Sequence, residues 1–323
     1  MYKGILKSLL RQEVIGIVLV VVLISAILSV TAPGFNSFFN LNSLSRTVSI
    51  TIIVGLSQLF VLSIGQFNLA LGSMGLLSGL FTAVLLQDYQ VPVLIAILIG
   101  LTIGAAAGGI QGWIITKTGI NPFIVTLVLV SIYSGIATAI SRGSVYTQQP
   151  DIFRAIGSTN LALWIPALLL ISIIVALILY VVFNRTAFGR QVLATGENEK
   201  AAAFAGISTM YIIILAHTFS GLLAGTAGIL EVARLGSATL TIGSDWLLIS
   251  FAAPILGGTL LSGGKVSVVG TIFGAILMSI IVNGLFMLDV SHYWFQTFLG
   301  IILLGSYAVD KLRRNYMLGR EVL

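Results

Sequence analysis

The sequence contains no cysteine and few charged residues, and both absences limit what the protein can be. Without cysteine, the chain has no disulfide, no thiolate metal site and no thiol nucleophile. Charged residues make up 8% of its 323 residues, whereas about a quarter of the residues in soluble domains are charged. The chain therefore lacks the polar surface of a water-soluble protein.

Motifs for catalysis and nucleotide binding are also missing. His217 and His292 are the only histidines, too few for a histidine-rich metal centre, and neither His-Glu-x-x-His nor Gly-x-Ser-x-Gly occurs. The stretch "TLLSGGKV" (259–266) resembles a phosphate-binding loop, but Thr259 replaces its first glycine and Val266 replaces its magnesium-binding Ser or Thr. We therefore expect this chain to bind no nucleotide, metal or other cofactor itself.

Long apolar runs are what the sequence has in abundance. Hydrophobic residues make up 58% of the chain, and uncharged apolar runs of about 18 residues or more predict transmembrane helices. The first run, Val14 to Val30, is longer than the apolar core of a signal peptide, so we expect a retained span. The net charge of +6 is explained by basic loops that orient the chain among membrane lipids, and we expect no nucleic-acid partner.

Nine polar or Pro/Gly-rich breaks divide the chain into ten candidate spans. The break around Asn68 is the least regular, and a helix interrupted within the membrane is the alternative there. With the N-terminus inside, twelve of the 16 Lys and Arg residues are cytoplasmic, and the four outside are Arg46, Arg142, Arg154 and Arg234. This bias follows the positive-inside rule and predicts that both termini are cytoplasmic. The predicted fold is an all-α membrane protein of about ten transmembrane helices, forming one domain over residues 1–323.

Two glycine-rich segments predict an inverted repeat. "GLTIGAAAGGIQG", from Gly100, resembles "GTIFGAILMSIIVNG", from Gly270, and the two segments run in opposite directions in the ten-span topology. Opposed repeats are typical of transporters. Chance similarity between glycine-rich helices is the alternative.

Glycines spaced to permit close helix packing recur along the chain: Gly75 and Gly79; Gly104, Gly108 and Gly112; Gly221 and Gly225.

Carboxylates are absent from the predicted membrane interior, because all ten acids map to loops or span ends. A charge at the bilayer centre costs about 2.5–3.5 kcal/mol, and ion-driven carriers generally retain such a group for function. Only His217 is ionisable at depth, and we expect it to be neutral and hydrogen-bonded. The energy for any transport is therefore expected to come from a partner.

One polar, alanine-rich insert, "GRQVLATGENEKAAAFAGI" (189–207), interrupts this apolar chain. Asn198 suits a helix N-cap, Glu199 the first turn and Gly206 a left-handed terminating position, which predicts a helix of roughly seven residues. Isolated helices shorter than about 12–15 residues are marginal in water, so this helix is expected to dock on a partner. A linker at the membrane surface is the alternative.

The insert resembles the coupling segment of ABC-transporter permeases of the ribose and simple-sugar uptake branch. Its matches to that pattern are Gly189, Arg190, Ala194, Gly196, Asn198, Ala201, Ala202, Gly206 and Ile207. A second motif, "ILGGTLLSGGKVSVVGTIFGA" (255–275), is similar to the family's I-G-G-T-S-L-S-G-G-x-G-S-V-x-G-T. The likeness covers nearly the whole chain.

The resemblance implies a permease subunit in the bacterial cytoplasmic (inner) membrane. Its partners would be a cytoplasmic ABC ATPase that holds ATP and magnesium, a second permease subunit, and an extracytoplasmic solute-binding protein. The ATPase would contact a cytoplasmic coupling segment at residues 184–208. The residues assigned to that contact are Gly189, Arg190, Gly196, Asn198, Glu199, Ala201, Ala202, Phe204 and Gly206.

The chain departs from the family pattern at three acidic positions. Asn68 replaces the aspartate of G-I-D-L-S-V-G, and Leu247 and Ile249 replace the acids of Y-E-L-D-A-I-A-A, in which Trp246 also replaces the tyrosine. We expect a non-identical second permease to supply the missing polar contacts; drift at structural positions or a different solute are alternatives. The residues predicted to line the solute pathway are Asn68, Asn121, Trp246 and Asn283, because amides bind hydroxyls and an indole stacks on a sugar. Structural roles are the alternatives, such as a turn before Pro122 for Asn121 and an anchor at the membrane interface for Trp246.

Two other functional classes compete with this assignment. An ion-coupled secondary carrier for a small polar solute would transport with a gradient alone, and a membrane scaffold would not transport. The sequence leaves the solute open among sugars, nucleosides and related polyols.

Overall fold

The computed structural model describes residues 2–162 and 165–291 together with 294, 297, 298, 300, 301, 304 and 305, and its described side chains begin at Ile15. Most of the predicted tenth span and all of the basic cluster at 311–320 lie outside the described residues. The helices are α1 Tyr2–Thr31, α2 Phe38–Ser63, α3 Leu71–Gln87, α4 Val93–Thr118, α5 Pro122–Ser141, α6 Asp151–Ser158, α7 Ala167–Arg185, α8 Ala187–Glu197, α9 Glu199–Phe204, α10 Thr209–Leu235, α11 Trp246–Leu256 and α12 Val268–Met287. Two short antiparallel strands, β1 Asn160–Ala162 and β2 Ile165–Pro166, form one hairpin.

The predicted all-α membrane character agrees with these helices. Within the described residues, six helices are long and apolar enough to cross a membrane: α2, α4, α5, α7, α10 and α12. Three shorter apolar helices accompany them: α3, α11 and residues Ile15–Thr31 of α1. Nearly every predicted break coincides with a connection between helices, and the insert at 189–207 corresponds to α8 and α9.

Helix α2 lies at the centre of the bundle. Of its most apolar stretch, 83% is buried, against 28% for each of α4, α5 and α7. Phe60, Val61 and Leu62 are at most 1% exposed, although consecutive residues point to different faces of a helix. A helix that is apolar all round is buried on all sides, whereas the outer helices present their apolar faces outward.

Glycines bring the backbones of α4 and α10 into contact. A Cβ on Gly104 would lie 2.6 Å from the carbonyl oxygen of Gly221, and a Cβ on Gly221 would overlap the carbonyl oxygen of Gly104. A Cβ on Gly112 would lie 2.8 Å from the Cα of Ile214. The contacts run in opposite order along the two helices, so α4 and α10 are antiparallel. The predicted role of these glycines in close packing is confirmed.

Two segments leave the helical path inside the bundle. Helix α2 ends at Ser63, Gly65 takes a left-handed φ of +71°, and α3 starts only at Leu71. Asn68, in the gap, lies beside Ser220 in the middle of α10, so this first broken segment (64–70) returns into the bundle. The alternative considered for this break, an interrupted helix around Asn68, is therefore the form that the chain adopts.

The second broken segment (236–245) follows α10. It begins at Gly236, which has a left-handed φ of +68°, and folds back along the bundle until α11 starts at Trp246. Gly243 and Gly72 touch through their backbones, because a Cβ on either would overlap the carbonyl oxygen of the other. This segment is packed against α3, because Gly243 touches Gly72 and Trp246, the residue that follows the segment, packs on Gly75.

We expect the α4–α10 crossing to be intolerant of a single methyl group. Gly221→Ala would push the Cβ against the backbone of α4, and such overpacking costs about 1–3 kcal/mol. Gly135→Ala on α5 is the matched control, because no atom lies within 4 Å of the added Cβ. Thermal unfolding of the detergent-solubilised chain should show a lower midpoint for Gly221→Ala only. Equal midpoints for the two variants would contradict the close crossing.

Candidate functional site

The insert forms two helices that meet at Asn198. Helix α8 is capped by Thr186, whose hydroxyl accepts a hydrogen bond from the amide of Gly189 at 3.1 Å. The side chain of Asn198 then caps α9 by accepting from the amide of Ala201 at 3.0 Å. The predicted N-cap is thus confirmed, whereas α8 is an additional helix that the sequence does not predict, because it contains two glycines, Gly189 and Gly196, which are poor helix formers.

Helix α9 is terminated by a left-handed Gly206, as predicted, two residues after its last helical residue, Phe204. The amide of Gly206 donates to the carbonyl of Ala203 and that of Ile207 to the carbonyl of Ala202, each at 3.0 Å, and Gly206 has a φ of +84°. This pair of bonds is the Schellman motif, which satisfies the last carbonyls of a helix. Both ends of this six-residue helix are therefore held by local hydrogen bonds.

One face of α9 is exposed and makes no contact with the bundle. Ala202 is 5% exposed and faces the bundle, whereas Phe204 is 93% exposed, the highest value among the large apolar side chains described. Glu199, Lys200 and Ala201 are exposed as well. Phe204 and the exposed alanines beside it are the apolar part of the surface that α9 presents.

The segment is attached to the bundle at a three-loop junction formed by residues 63–65, 196–197 and 262–264. The amide of Gly264 donates to the carbonyl of Ser63 at 3.1 Å. A Cβ on Gly196 would overlap that same carbonyl, and a Cβ on Gly263 would lie 2.7 Å from the carbonyl oxygen of Gly196. Displacing α8 must therefore displace the end of α2 and the α11–α12 connection.

Four phenylalanines pack together where α8 meets the bundle. Phe60 of α2 packs against Phe183 at 5.0 Å and Phe219 at 5.2 Å between ring centroids, and Phe188 of α8 packs against Phe219 at 5.7 Å. Gly189 lets α8 approach α7, since a Cβ there would lie 2.7 Å from the Cα of Phe183. These ring contacts connect α8 to the central helix and to α10.

The predicted coupling residues accordingly fall into two groups. Gly189, Gly196 and Ala202 face the bundle and hold the segment, and Asn198 and Gly206 shape its ends. The exposed group consists of Arg190, Glu199, Ala201 and Phe204.

A buried polar chain crosses the bundle at the first broken segment. Nε2 of His217 lies 2.9 Å from Oε1 of Gln66, and Nδ1 of His217 lies 2.7 Å from Nε2 of Gln111. With Gln66 accepting and Gln111 donating, the imidazole is neutral, as expected from the sequence. Sequence reasoning singled out His217 but missed both glutamines, because single amides in apolar runs carry no periodic signal.

Asn68 belongs to the same region. Its Nδ2 donates to the hydroxyl of Ser220 at 3.0 Å, and its Oδ1 accepts from the amide of Ala70 at 3.0 Å. The amide of Gln58, oriented so that its nitrogen donates, lies 3.1 Å from the carbonyl oxygen of Asn68. These bonds satisfy polar groups that the broken helix leaves free in an apolar interior.

The four predicted pathway residues do not form one cluster. Asn68 lies on the first broken segment and Trp246 directly follows the second, and both are near α10. Asn121 is at the start of α5, where its Oδ1 accepts from the amide of Phe123 at 2.9 Å. Asn283 exchanges two amide hydrogen bonds with Asn40 of α2, at 2.9 and 3.2 Å. Their role in solute contact stays a prediction.

Comparison with known proteins places the chain among membrane permeases. The sequence model of the family described as "Branched-chain amino acid transport system / permease component" matches residues 40–307. The ribose import permease of Escherichia coli (strain K12) is 34% identical over 312 residues, covering 95% of this chain and 96% of that protein. The D-allose transport permease of the same strain is 32% identical (92% and 91% covered), and the fructose import permease of Rhizobium meliloti is 29% identical (96% and 89% covered). No solved structure matches the chain.

Proposed function

We infer the function of this chain from its family, since it belongs to the permease components of the branched-chain amino acid transport type. Relatives that match it over nearly their full length are named as ribose, allose, fructose and arabinose permeases. We propose that the chain is the membrane-spanning permease of an ATP-driven importer for a sugar or similar small polar solute. Permeases of this kind are transport components, and ATP and magnesium are bound by their partner ATPase.

The observation that carries this proposal is the bare, doubly capped α9. In the proposed mechanism, residues 184–208 form the cytoplasmic coupling segment, and a groove of the ATPase holds α9 with Phe204 as the anchor. ATP-driven movement of the ATPase displaces α8. Because Gly196 rests on the carbonyl of Ser63, the displacement reaches the first broken segment and tilts the spans around it.

The partners follow from the same assignment. An extracytoplasmic binding protein delivers the solute, and a cytoplasmic ABC ATPase drives the conformational change by hydrolysing ATP. A second permease completes the pathway in the bacterial inner membrane. We propose that this second permease is a different polypeptide, because Asn68, Leu247 and Ile249 replace acidic residues of the family pattern.

We further propose ten spans with both termini cytoplasmic, arranged as an inverted repeat. The series α2, broken segment, α3, α4 is matched by α10, broken segment, α11, α12. The reciprocal contact of Gly72 with Gly243 supports a two-fold relation between these series. The similar sequences from Gly100 and Gly270 lie in α4 and α12, the last helix of each series.

We propose the same four residues for the solute pathway, and the structure supports two of them, Trp246 and Asn68, better than the other two. Trp246 borders a cavity, and Asn68 lies on a broken segment, which is where transporter sites are typically built. Asn121 and Asn283 would have to give up the local partners described above in order to contact a solute.

Reconstitution tests the proposed function. Vesicles that contain this chain, its second permease, the ATPase and the binding protein should accumulate a monosaccharide only when ATP hydrolysis is possible. Vesicles that lack the ATPase are the control. Accumulation driven by an ion gradient in those control vesicles would instead identify a secondary carrier.

Replacement of Phe204 tests the coupling surface. Phe204→Ala should weaken ATPase binding by about 2 kcal/mol, roughly thirtyfold, because truncation of an interface anchor has costs of this size. Phe39→Ala is the matched control. Phe39 is 83% exposed, but it lies at the start of α2, whereas the coupling segment contacts the other end of that helix, at Ser63. The measurement is the dissociation constant of the purified ATPase for the permease in nanodiscs. An unchanged dissociation constant for Phe204→Ala would contradict the assignment.

The composition of the assembled importer tests the second permease. Intact-mass measurement of the complex purified through a tag on this chain should reveal one copy of this chain and one different permease. Two copies of this chain and no other permease would contradict a heterodimer, while leaving the importer function standing.

A further inference from the structure

The first broken segment has an open side. Gly65, Gln66 and Phe67 are half-buried, whereas Ser63 before them and Asn68 after them are 0% exposed. Irregular backbone at membrane depth occurs only where protein covers it or where it lines a water-filled cavity, because lipid cannot satisfy its polar groups. The open side of this segment therefore faces the solute pathway or the second permease.

Two amide side chains lie on this segment, and only one of them is accessible. Asn68 is 0% exposed, and its Nδ2 and Oδ1 are both bonded within the bundle. Gln66 is half-buried, and its Oε1 is bonded to His217. Its Nε2 makes no hydrogen bond to the residues that the structure describes, so the two N–H groups of Gln66 remain for a ligand.

Gln66 also lies well inside the bundle. Its side chain reaches His217, which is about 12 Å along α10 from the first residue of that helix, Thr209. A donor at this depth is shielded from bulk water, and its hydrogen bond to a ligand is stronger there than at the membrane surface.

A relay of hydrogen bonds fixes which way the Gln66 amide points. Nε2 of Gln111 donates to Nδ1 of His217 at 2.7 Å, so the neutral imidazole carries its proton on Nε2. That nitrogen donates in turn to Oε1 of Gln66 at 2.9 Å. The oxygen of Gln66 is thereby held toward His217, and Nε2 of Gln66 is left as the outward group.

The inner members of this relay are held by backbone packing. Gln111 and His217 are both 0% exposed, so water does not compete for their bonds. A Cβ on Gly108 would overlap the carbonyl oxygen of His217, and a Cβ on Gly112 would lie 3.1 Å from the Cβ of His217. The glycine crossing of α4 and α10 therefore sets the position of the imidazole.

Gln111 decides whether Gln66 offers a donor or an acceptor. If the proton of His217 were on Nδ1, Nε2 would accept, and the Gln66 amide would turn its oxygen outward. The bond from Gln111 to Nδ1 excludes that arrangement. The amide of Gln66 is thus prepared to donate to an oxygen atom of a ligand.

We propose that Gln66 contacts the transported solute, and that Gln111 and His217 are positioning residues that hold its amide as a donor. The proposal rests on the importer function above and adds a contact residue to it. Transporters typically build their solute sites at discontinuous helices, which favours the pathway over the second permease on this open side.

Cysteine substitution tests what covers the open side, since the chain has no cysteine of its own. Phe67→Cys places a reporter thiol there, and the half-buried Leu69 provides a second reporter, Leu69→Cys, in case the first variant does not assemble. The assembled importer in nanodiscs is treated with a cationic, membrane-impermeant methanethiosulfonate, and the mass of this chain is followed. The controls are Ala70→Cys, at a 0% exposed position, and Ile178→Cys, on the outward face of α7.

The reporter thiol should react, whereas one control thiol is buried, the other faces lipid, and neither should react. D-ribose, D-allose, L-arabinose and D-fructose are the solute probes, and a sugar that the parent complex transports should slow the reaction severalfold. No reaction at either reporter would mean that protein covers this side, and would overturn the proposal.

Replacement of the relay residues tests their roles. Gln66→Leu should raise the sugar concentration for half-protection of the reporter about fivefold, because one neutral hydrogen bond is lost. His217→Leu should cause a similar rise without touching the solute. His217→Gln should restore most of the protection, since a glutamine can accept from Gln111 and donate to Gln66.

Gln149→Leu is the matched control, because Gln149 is a buried amide, 3% exposed, in the connection between α5 and α6. Its half-protecting concentration should equal that of the parent. Equal losses in His217→Leu and His217→Gln would contradict the positioning role, since a purely structural histidine gains nothing from the restored donor and acceptor.

The outcomes separate this contact from the importer function. If the parent complex transports a sugar that protects neither reporter, or if Gln66→Leu leaves protection unchanged, the contact is wrong and the importer function stands. If no sugar is transported or protects, the sugar-importer function is overturned, and the contact with it.

Discussion

Contact between backbones at glycine is the constraint on which the rest of this structure depends. Where Gly104 meets Gly221 and Gly72 meets Gly243, no side chain separates the two backbone segments. Apolar surface drives little association between helices inside a lipid bilayer, so close packing has to supply the attraction. The two broken segments fit among the helices only because these crossings are so tight.

Breaking a helix inside an apolar bundle frees polar backbone groups, and side-chain amides and hydroxyls satisfy them here. Gln58, Asn68 and Ser220 bond around the first broken segment, and Gln66 continues the chain of amides to His217. These groups are all neutral, which avoids the cost of burying a charge. A polar interior of this kind positions a backbone turn without needing an ion.

The same first broken segment lies between the proposed coupling segment and the second broken segment. At one end it adjoins the three-loop junction, where Gly196 rests on Ser63, and at the other it leads into α3 beside Gly72 and Gly243. The exposed α9 and the second broken segment are therefore joined by packed backbone and by the rings around Phe60. This packing gives the proposed coupling segment a physical path into the bundle.

The sequence alone determined the features that depend on neighbouring residues. Apolar runs predicted the helices, Asn198 and Gly206 predicted both ends of α9, and the motif around the insert predicted the family, because caps and hydrophobic lengths are local properties. Tertiary structure decided which side chains meet. It buried Ala202 but left Phe204 bare, joined Gln66 to Gln111 through His217, and folded the second broken segment inward so that Asp245 and Trp246 border a cavity. Residues far apart in the chain come together through packing at glycines such as Gly72 and Gly243, and a pattern along one sequence does not specify the partner of each contact.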